Sequence, residues 1–402
     1  MSTVAAYADR FMRSQLADAR TVGMVGVVLG VLAFWLAIPP FTTRSFVWPV
    51  LVGALAVGAG IWAVSRGVGK LGWGAVAAGV VGICLAVLAI HSSKGNLEQV
   101  FSASLIASML VFATPLTFAA IGGMFSERSG VVNVALEGMM LTGAFFGIYG
   151  ADKTGSWFLG ILIAMLAGGL MALVHAFFAV QLRADQIVGG MAINFLALGI
   201  TGYFFFQLYH GANIPPNIPR IPNMSIPWVK DQGFIGPAIG DLNLLIWVAI
   251  ALVPISYIVM FKTPIGLRIR ACGEHPRAAD TVGINVYAVR YASVVTSGML
   301  AAAGGAFLSV GFVGTFNENM TAGRGFIALA ALIFGNWRPF GAFGAALLFG
   351  FSTALAFRLP VYSDSAATLF QALPYVLTLI AVAGVIGRTI PPAAVGRPYK
   401  KQ

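Results

Sequence analysis

The chain has 402 residues, 59% of them hydrophobic and 9% charged, whereas roughly a quarter of an ordinary soluble domain is charged. That balance excludes a soluble multi-domain protein and reads as an all-α, polytopic transmembrane bundle in the lipid bilayer. The formal net charge of +11 serves first as a topology marker in such a chain, so no nucleic-acid partner is expected. Cys84 and Cys272 lie far apart, one in an apolar run and one in a basic loop, and suggest neither a disulfide framework nor a metal site.

The first twenty residues are polar and mixed in charge. The apolar run from Thr21 to Ile38 is followed by Pro39 and Pro40 rather than by a small-residue cleavage site, which favours a retained first span. Further apolar runs fall near 46–64, 71–90, 99–123, 131–150, 156–182, 186–206, 242–261, 287–313, 322–335, 340–357 and 367–387. This pattern predicts about twelve crossings, with 322–335 shorter than the usual ~17 residues and able to be either a full span or a re-entrant segment. Both termini then share a side. Placing them in the cytoplasm puts most of the 24 Lys and Arg residues on that side, in accord with the positive-inside rule.

Between the fourth and fifth runs stands "GMFSERSGVVNVALEGMM", residues 122–139. Glu127 and Arg128 fall in the short inner turn, where water or headgroups can solvate them. Asn133 and Glu137 are four apart and share a face if the segment is helical, with Ser129 and Gly130 allowing a break before it. Glu137 lies about 9 Å of helix beyond Val131, a depth at which an ionisable group faces a cavity or a partner. Two roles are open to Asn133 and Glu137: lining a substrate pathway, or hydrogen-bonding neighbouring helices. Asn194, in "GGMAINFLALG" beside Gly189 and Gly190, has the same two roles open. His175 reads as a satisfied packing residue, and Tyr203, Phe204, Phe205, Phe206 and Tyr209 as an interfacial aromatic belt.

The outer loop from Gln207 to Asp241 carries six prolines, which favour extended chain, as a linker or as a lid. In the second half, "TFNENMTAGRGFIALAALIFG" is another polar, Gly-containing break before a short apolar run. Paired interruptions of this kind point to a transport site.

The inner loop 262–286 carries a compact helical signature. Pro276 suits a first helical position, Arg277 to Val282 supply one or two turns, and Gly283 a left-handed stop. So short a helix needs a partner surface.

"GEHPRAADTVGIN" at this loop resembles the coupling loop of permease subunits of ATP-binding-cassette importers, in the group serving simple sugars, branched-chain amino acids and nucleosides. "ERSGVVNVALEGMMLTGAF", "DQIVGGMAINFLALG", "TAGRGFIALAALIFGNWRPFGA" and "LPYVLTLIAVAGVIGRTIPPAAVGRPY" are similar to its nucleoside-importer branch, and the resemblance covers Val100 to Lys400. It implies a permease core, 98–402, behind an N-terminal extension, 1–97, that adds about three crossings where about one is expected. It also implies an ATPase subunit docking on Glu274, His275, Pro276, Arg277, Ala278, Ala279, Asp280 and Gly283. A second permease, identical or different, and an extracytoplasmic solute-binding protein complete the implied assembly in the cell membrane.

The chain has no G-x-x-x-x-G-K-[ST] phosphate loop, so ATP is expected on the partner subunit; the permease itself is expected to be neither an enzyme nor a cofactor carrier. A nucleoside is the expected substrate and a simple sugar the alternative. An ion-coupled secondary transporter is the less favoured reading, because it would place several ionisable groups near the midplane.

Overall fold

A computed structural model describes residues 2–37, 41, 43, 45–91, 100–211, 217–359 and 389–401. The run expected at 367–387 lies outside the described residues. The chain divides into two compact units, one formed by 1–106, 231–238 and 357–370 and the other by 107–230, 239–356 and 371–402.

The smaller unit is built on α1 (Ser2–Trp35), α2 (Val47–Ser65) and α3 (Gly69–His91). From Thr21 of α1 onward their apolar residues surround each helix, the signature of a helix immersed in lipid or protein. Contact between them relies on small residues instead. A Cβ on Gly30 of α1 would run into the backbone of Ala78 and Gly79 on α3, and one on Gly60 of α2 into the carbonyl of Gly72. Such approaches are how helices associate where lipid removes the hydrophobic drive. Val28, Leu55 and Trp73 are left exposed, as lipid-facing side chains are.

The larger unit is threaded by α4 (Ser104–Arg128), α5 (Leu136–Thr154), α6 (Trp157–Ala176), α7 (Gln186–Tyr209), α8 (Leu244–Lys262), α9 (Pro264–Glu274), α10 (Pro276–Thr281), α11 (Val286–Ala306), α12 (Arg324–Phe334) and α13 (Pro339–Arg358). Short π-helical segments, Phe177–Gln181 and Phe307–Val313, extend α6 and α11. In the outer loop, β1 (Asn223–Ser225) pairs antiparallel with β2 (Asp241–Asn243), so this proline-rich stretch is partly a hairpin.

Among the described residues eight helices are long and apolar enough to cross a membrane. The span from Val286 to Val313 is 72% buried, against 22% for α7, which makes α11 the central post of this unit. It is packed through small residues on three sides. Gly143 of α5 abuts the Ala302 backbone, Gly168 of α6 abuts Ala302 and the Gly298 carbonyl, and Gly122 of α4 abuts the Ser297 carbonyl. α12 has 11 residues, about 16 Å at 1.5 Å per residue, half of a ~30 Å hydrocarbon core.

Candidate functional site

Around α11, two helices are interrupted. The first interruption is Ser129–Ala135, between the end of α4 and the start of α5, with Gly130 at φ +97°. Asn133 belongs to this non-helical segment, so it and Glu137 do not share a helix face as the sequence suggests. The segment is buried, with Ser129, Val131, Asn133 and Ala135 all 0% exposed. Backbone polar groups at such a place must find partners inside the protein.

They find them largely in side chains brought from other helices. Gln186 Oε1 accepts from the Val132 amide at 2.8 Å, and His175 Nε2 lies 3.1 Å from the Val132 carbonyl, an arrangement that requires the proton on Nε2. Asn194 works in both directions. Its Oδ1 accepts from the Gly138 amide at 2.8 Å and its Nδ2 donates to the Val134 carbonyl at 3.0 Å. Asn133 Oδ1 accepts from the Ala135 amide at 3.2 Å while its Nδ2 donates to Ser297 Oγ of α11 at 2.8 Å. The Ser126 hydroxyl donates to the Val131 carbonyl at 2.8 Å, and Arg290 Nε to that of Ser129 at 3.2 Å.

The second interruption, 314–323, leads into α12. The N-cap of that helix is Gly323 at φ +83°, which offers no side chain for capping. Glu137, on the first turn of α5, does this from a distance: Oε1 accepts from the Gly323 amide at 2.8 Å and Oε2 from the Gly325 amide at 2.5 Å. At the opposite end, Asn336 and Trp337 both adopt positive φ. Arg128 donates to the Trp337 carbonyl through Nε at 3.1 Å and Nη2 at 2.9 Å, and the Trp337 indole N–H donates to Glu127 Oε2 at 2.6 Å.

Glu127 and Arg128 are therefore not solvated turn residues. Glu127 is 4% exposed, and the pair grips the end of α12. A carboxylate at the N-terminus and a guanidinium at the C-terminus of α12 also complement its dipole. Thus the stretch from Glu127 to Glu137 holds a half-helix by both ends.

At the loop 262–286, α9 is N-capped by Thr263 and α11 by Asn285. Between them α10 begins with Pro276 at its first position and ends at Thr281, with Val282 as its C-cap and Gly283 following at φ +85°. Ala279 is buried against Cys272, Val286 and Tyr399 and anchors the short helix. Glu274, His275, Arg277, Ala278 and Gly283 are exposed, Pro276 and Asp280 half-buried. Val282, at the end of the helix, is 75% exposed. The Cys272 thiol is fully buried, and burial pushes its pKa up to about 11.

Residues 105–382 match the family model for the permease component of the branched-chain amino acid transport system. The chain belongs to this permease family. Three relatives mark its place there. The guanosine ABC transporter permease protein NupQ of Bacillus subtilis is 45% identical over 309 residues, 74% of this chain and 96% of that protein. The nucleoside ABC transporter permease protein NupC of Lactococcus lactis is 41% identical over 307 residues, again 74% and 96%. The putative glucose ABC transporter permease protein TsgC13 of Haloferax volcanii is 35% identical over 263 residues, 64% and 78%. No solved structure matches.

Unwound segments inside a helical bundle expose polar backbone only where protein or water can meet it, and here side chains of neighbouring helices do so. The supporting residues Gln186, Ser297 and Trp337 carry no local sequence signal of that role. Arg290 does: an arginine five residues into a span is an intramembrane ionisable group.

Proposed function

We propose that this permease forms the membrane passage of an ATP-driven importer for nucleosides. The observation that carries the reading is the 45% identity to a guanosine permease across 96% of that protein's length. An ATPase subunit docks on the exposed face of α10 and its flanks, Glu274 to Gly283, and supplies the ATP-binding site. A second permease, identical or different, completes the passage, and an extracytoplasmic binding protein delivers solute. With most Lys and Arg on one side, the termini and α10 lie in the cytoplasm.

Asn133, Glu137 and Asn194 fix the walls of the pathway by holding the unwound segment and α12 in register. A passage poor in charge suits a neutral polar solute, whose hydroxyls and amides each ask for one hydrogen-bond partner rather than a counter-ion. Residues 1–97 form an extension in front of the permease core.

The test is uptake of labelled guanosine into proteoliposomes holding the permease, its ATPase and its binding protein. ATP-dependent accumulation, displaced by excess unlabelled nucleoside and not by glucose, is the expected result. The 35% identity to a putative glucose permease defines the rival, and ATP-dependent accumulation of labelled glucose with none of guanosine would establish that rival.

A further inference from the structure

The segment following the last expected span, 390–401, is laid across three parts of the larger unit. The Ile390 amide donates to Asn336 Oδ1 at 3.1 Å, beside the turn that ends α12. The Ala393 amide donates to Glu274 Oε2 at 3.2 Å and the Ala394 amide to the Gly273 carbonyl at 2.8 Å, so the segment runs along the end of α9. The Gly396 amide then donates to the Gly130 carbonyl at 3.2 Å, inside the unwound segment. Tyr399 completes the course. Its side chain packs with Ala279 of α10, its phenol meets Asp280, and Lys401 Nζ stands 3.9 Å from Asp280 Oδ1.

Arg290 sits where these contacts converge. It is 1% exposed, and both of its hydrogen bonds go to backbone carbonyls, Nε to Ser129 and Nη1 to Arg397 at 3.2 Å each. Its guanidinium lies 6.0 Å from the Tyr399 ring centre. Nη2 has no partner and occupies the space that a Cβ on Gly130 would need. Burying a cation costs several kcal/mol that two carbonyls only partly offset. A planar fork joining two divergent carbonyls at fixed angles is a use that lysine cannot reproduce. The end of α9 touches the same point, since a Cβ on Gly273 would run into the Arg128 carbonyl.

We propose that the 390–401 segment, fastened by Arg290, is the link that carries movement of α10 to the unwound segment at Gly130. It rests on the importer reading. A push on α10 reaches Asp280 and Ala279, passes to Tyr399, and through Arg397, Arg290 and Gly396 arrives at Ser129 and Gly130, the hinge in front of Asn133 and Glu137. Arg290 and Tyr399 are positioning residues on this path.

The test uses the full importer in proteoliposomes, with Arg290→Lys, Tyr399→Phe and a chain ending at Pro392, each first shown to elute as a single species. Three quantities are read: ATPase subunit retained, ATP hydrolysed, and nucleoside imported per ATP. The expected result is retention and hydrolysis within about twofold of the wild type, with import per ATP down at least about fivefold for Arg290→Lys and the truncation and less for Tyr399→Phe. Import per ATP equal to the wild type in all three overturns the proposal. Parallel loss of ATPase retention and import in the two point variants also overturns it, because the segment would then belong to the docking surface. If wild-type uptake needs no ATP, the importer reading falls and the proposal with it, a result read from the wild type alone.

Discussion

Glu137→Ala is expected to abolish most uptake and to lower the melting temperature of the purified permease by several degrees. The change strands the amides of Gly323 and Gly325 at the start of α12, which Glu137 caps from α5. An unpaired buried donor costs about 1–3 kcal/mol and loss of a bond to a charged acceptor about 1.5–3, so about 3 kcal/mol is the expected local loss. Glu137→Gln keeps one acceptor oxygen but turns an NH2 toward the other amide, and it should fall between wild type and Ala. A role confined to attracting a coupling ion makes a different forecast, in which Gln is as damaging as Ala for uptake and harmless for stability. Differential scanning fluorimetry together with uptake separates the two.

Gly305→Val is expected to prevent recovery of folded permease altogether. A Cβ at Gly305 would run into the Met140 carbonyl oxygen, and the atom in the way is backbone of α5 rather than a movable side-chain tip. Ordinary overpacking costs about 1–3 kcal/mol. Here relief requires α5 to leave α11, which would also pull Glu137 from α12. Gly199→Ala on α7 supplies the control, because a Cβ there meets nothing within 4 Å and removes the helix penalty of glycine, about 1 kcal/mol. Size-exclusion chromatography in detergent should give aggregate for the first variant and a peak like the wild type for the second.

What the sequence makes legible is what local chemistry decides. Among the described residues, runs of apolar residues long enough for the bilayer became helices, and 322–335 became the short α12 because its apolar content ends there at Gly335. The α10 helix could be placed from Pro276 and Gly283 because both act through their own backbone angles. Gly130 announced a break in the same way.

The partners across that break could not be foreseen. Glu127 and Trp337 are 210 positions apart, and nothing near either records the pairing. Asn133 looks like a helix residue by its spacing from Glu137, yet its segment stays unwound because Gln186, His175 and Asn194 supply the hydrogen bonds a helix would have supplied. Burial of Glu127 and half-burial of Arg128 likewise follow from the fold of α12 against them. Polarity inside apolar runs pointed to the residues that hold the backbone breaks, while which carbonyls and amides each one holds needed the geometry.

The most direct measurement concerns the exposed end of α10. A photo-reactive amino acid placed at Val282, 75% exposed, is illuminated in the assembled importer, with one at Trp228 of the outer loop, equally exposed, as the comparison. An importer driven through α10 gives a covalent adduct with the ATPase subunit from position 282 and none from 228. An ATPase that stays bound and hydrolyses ATP, yet never forms an adduct at 282, would contradict that mode of drive.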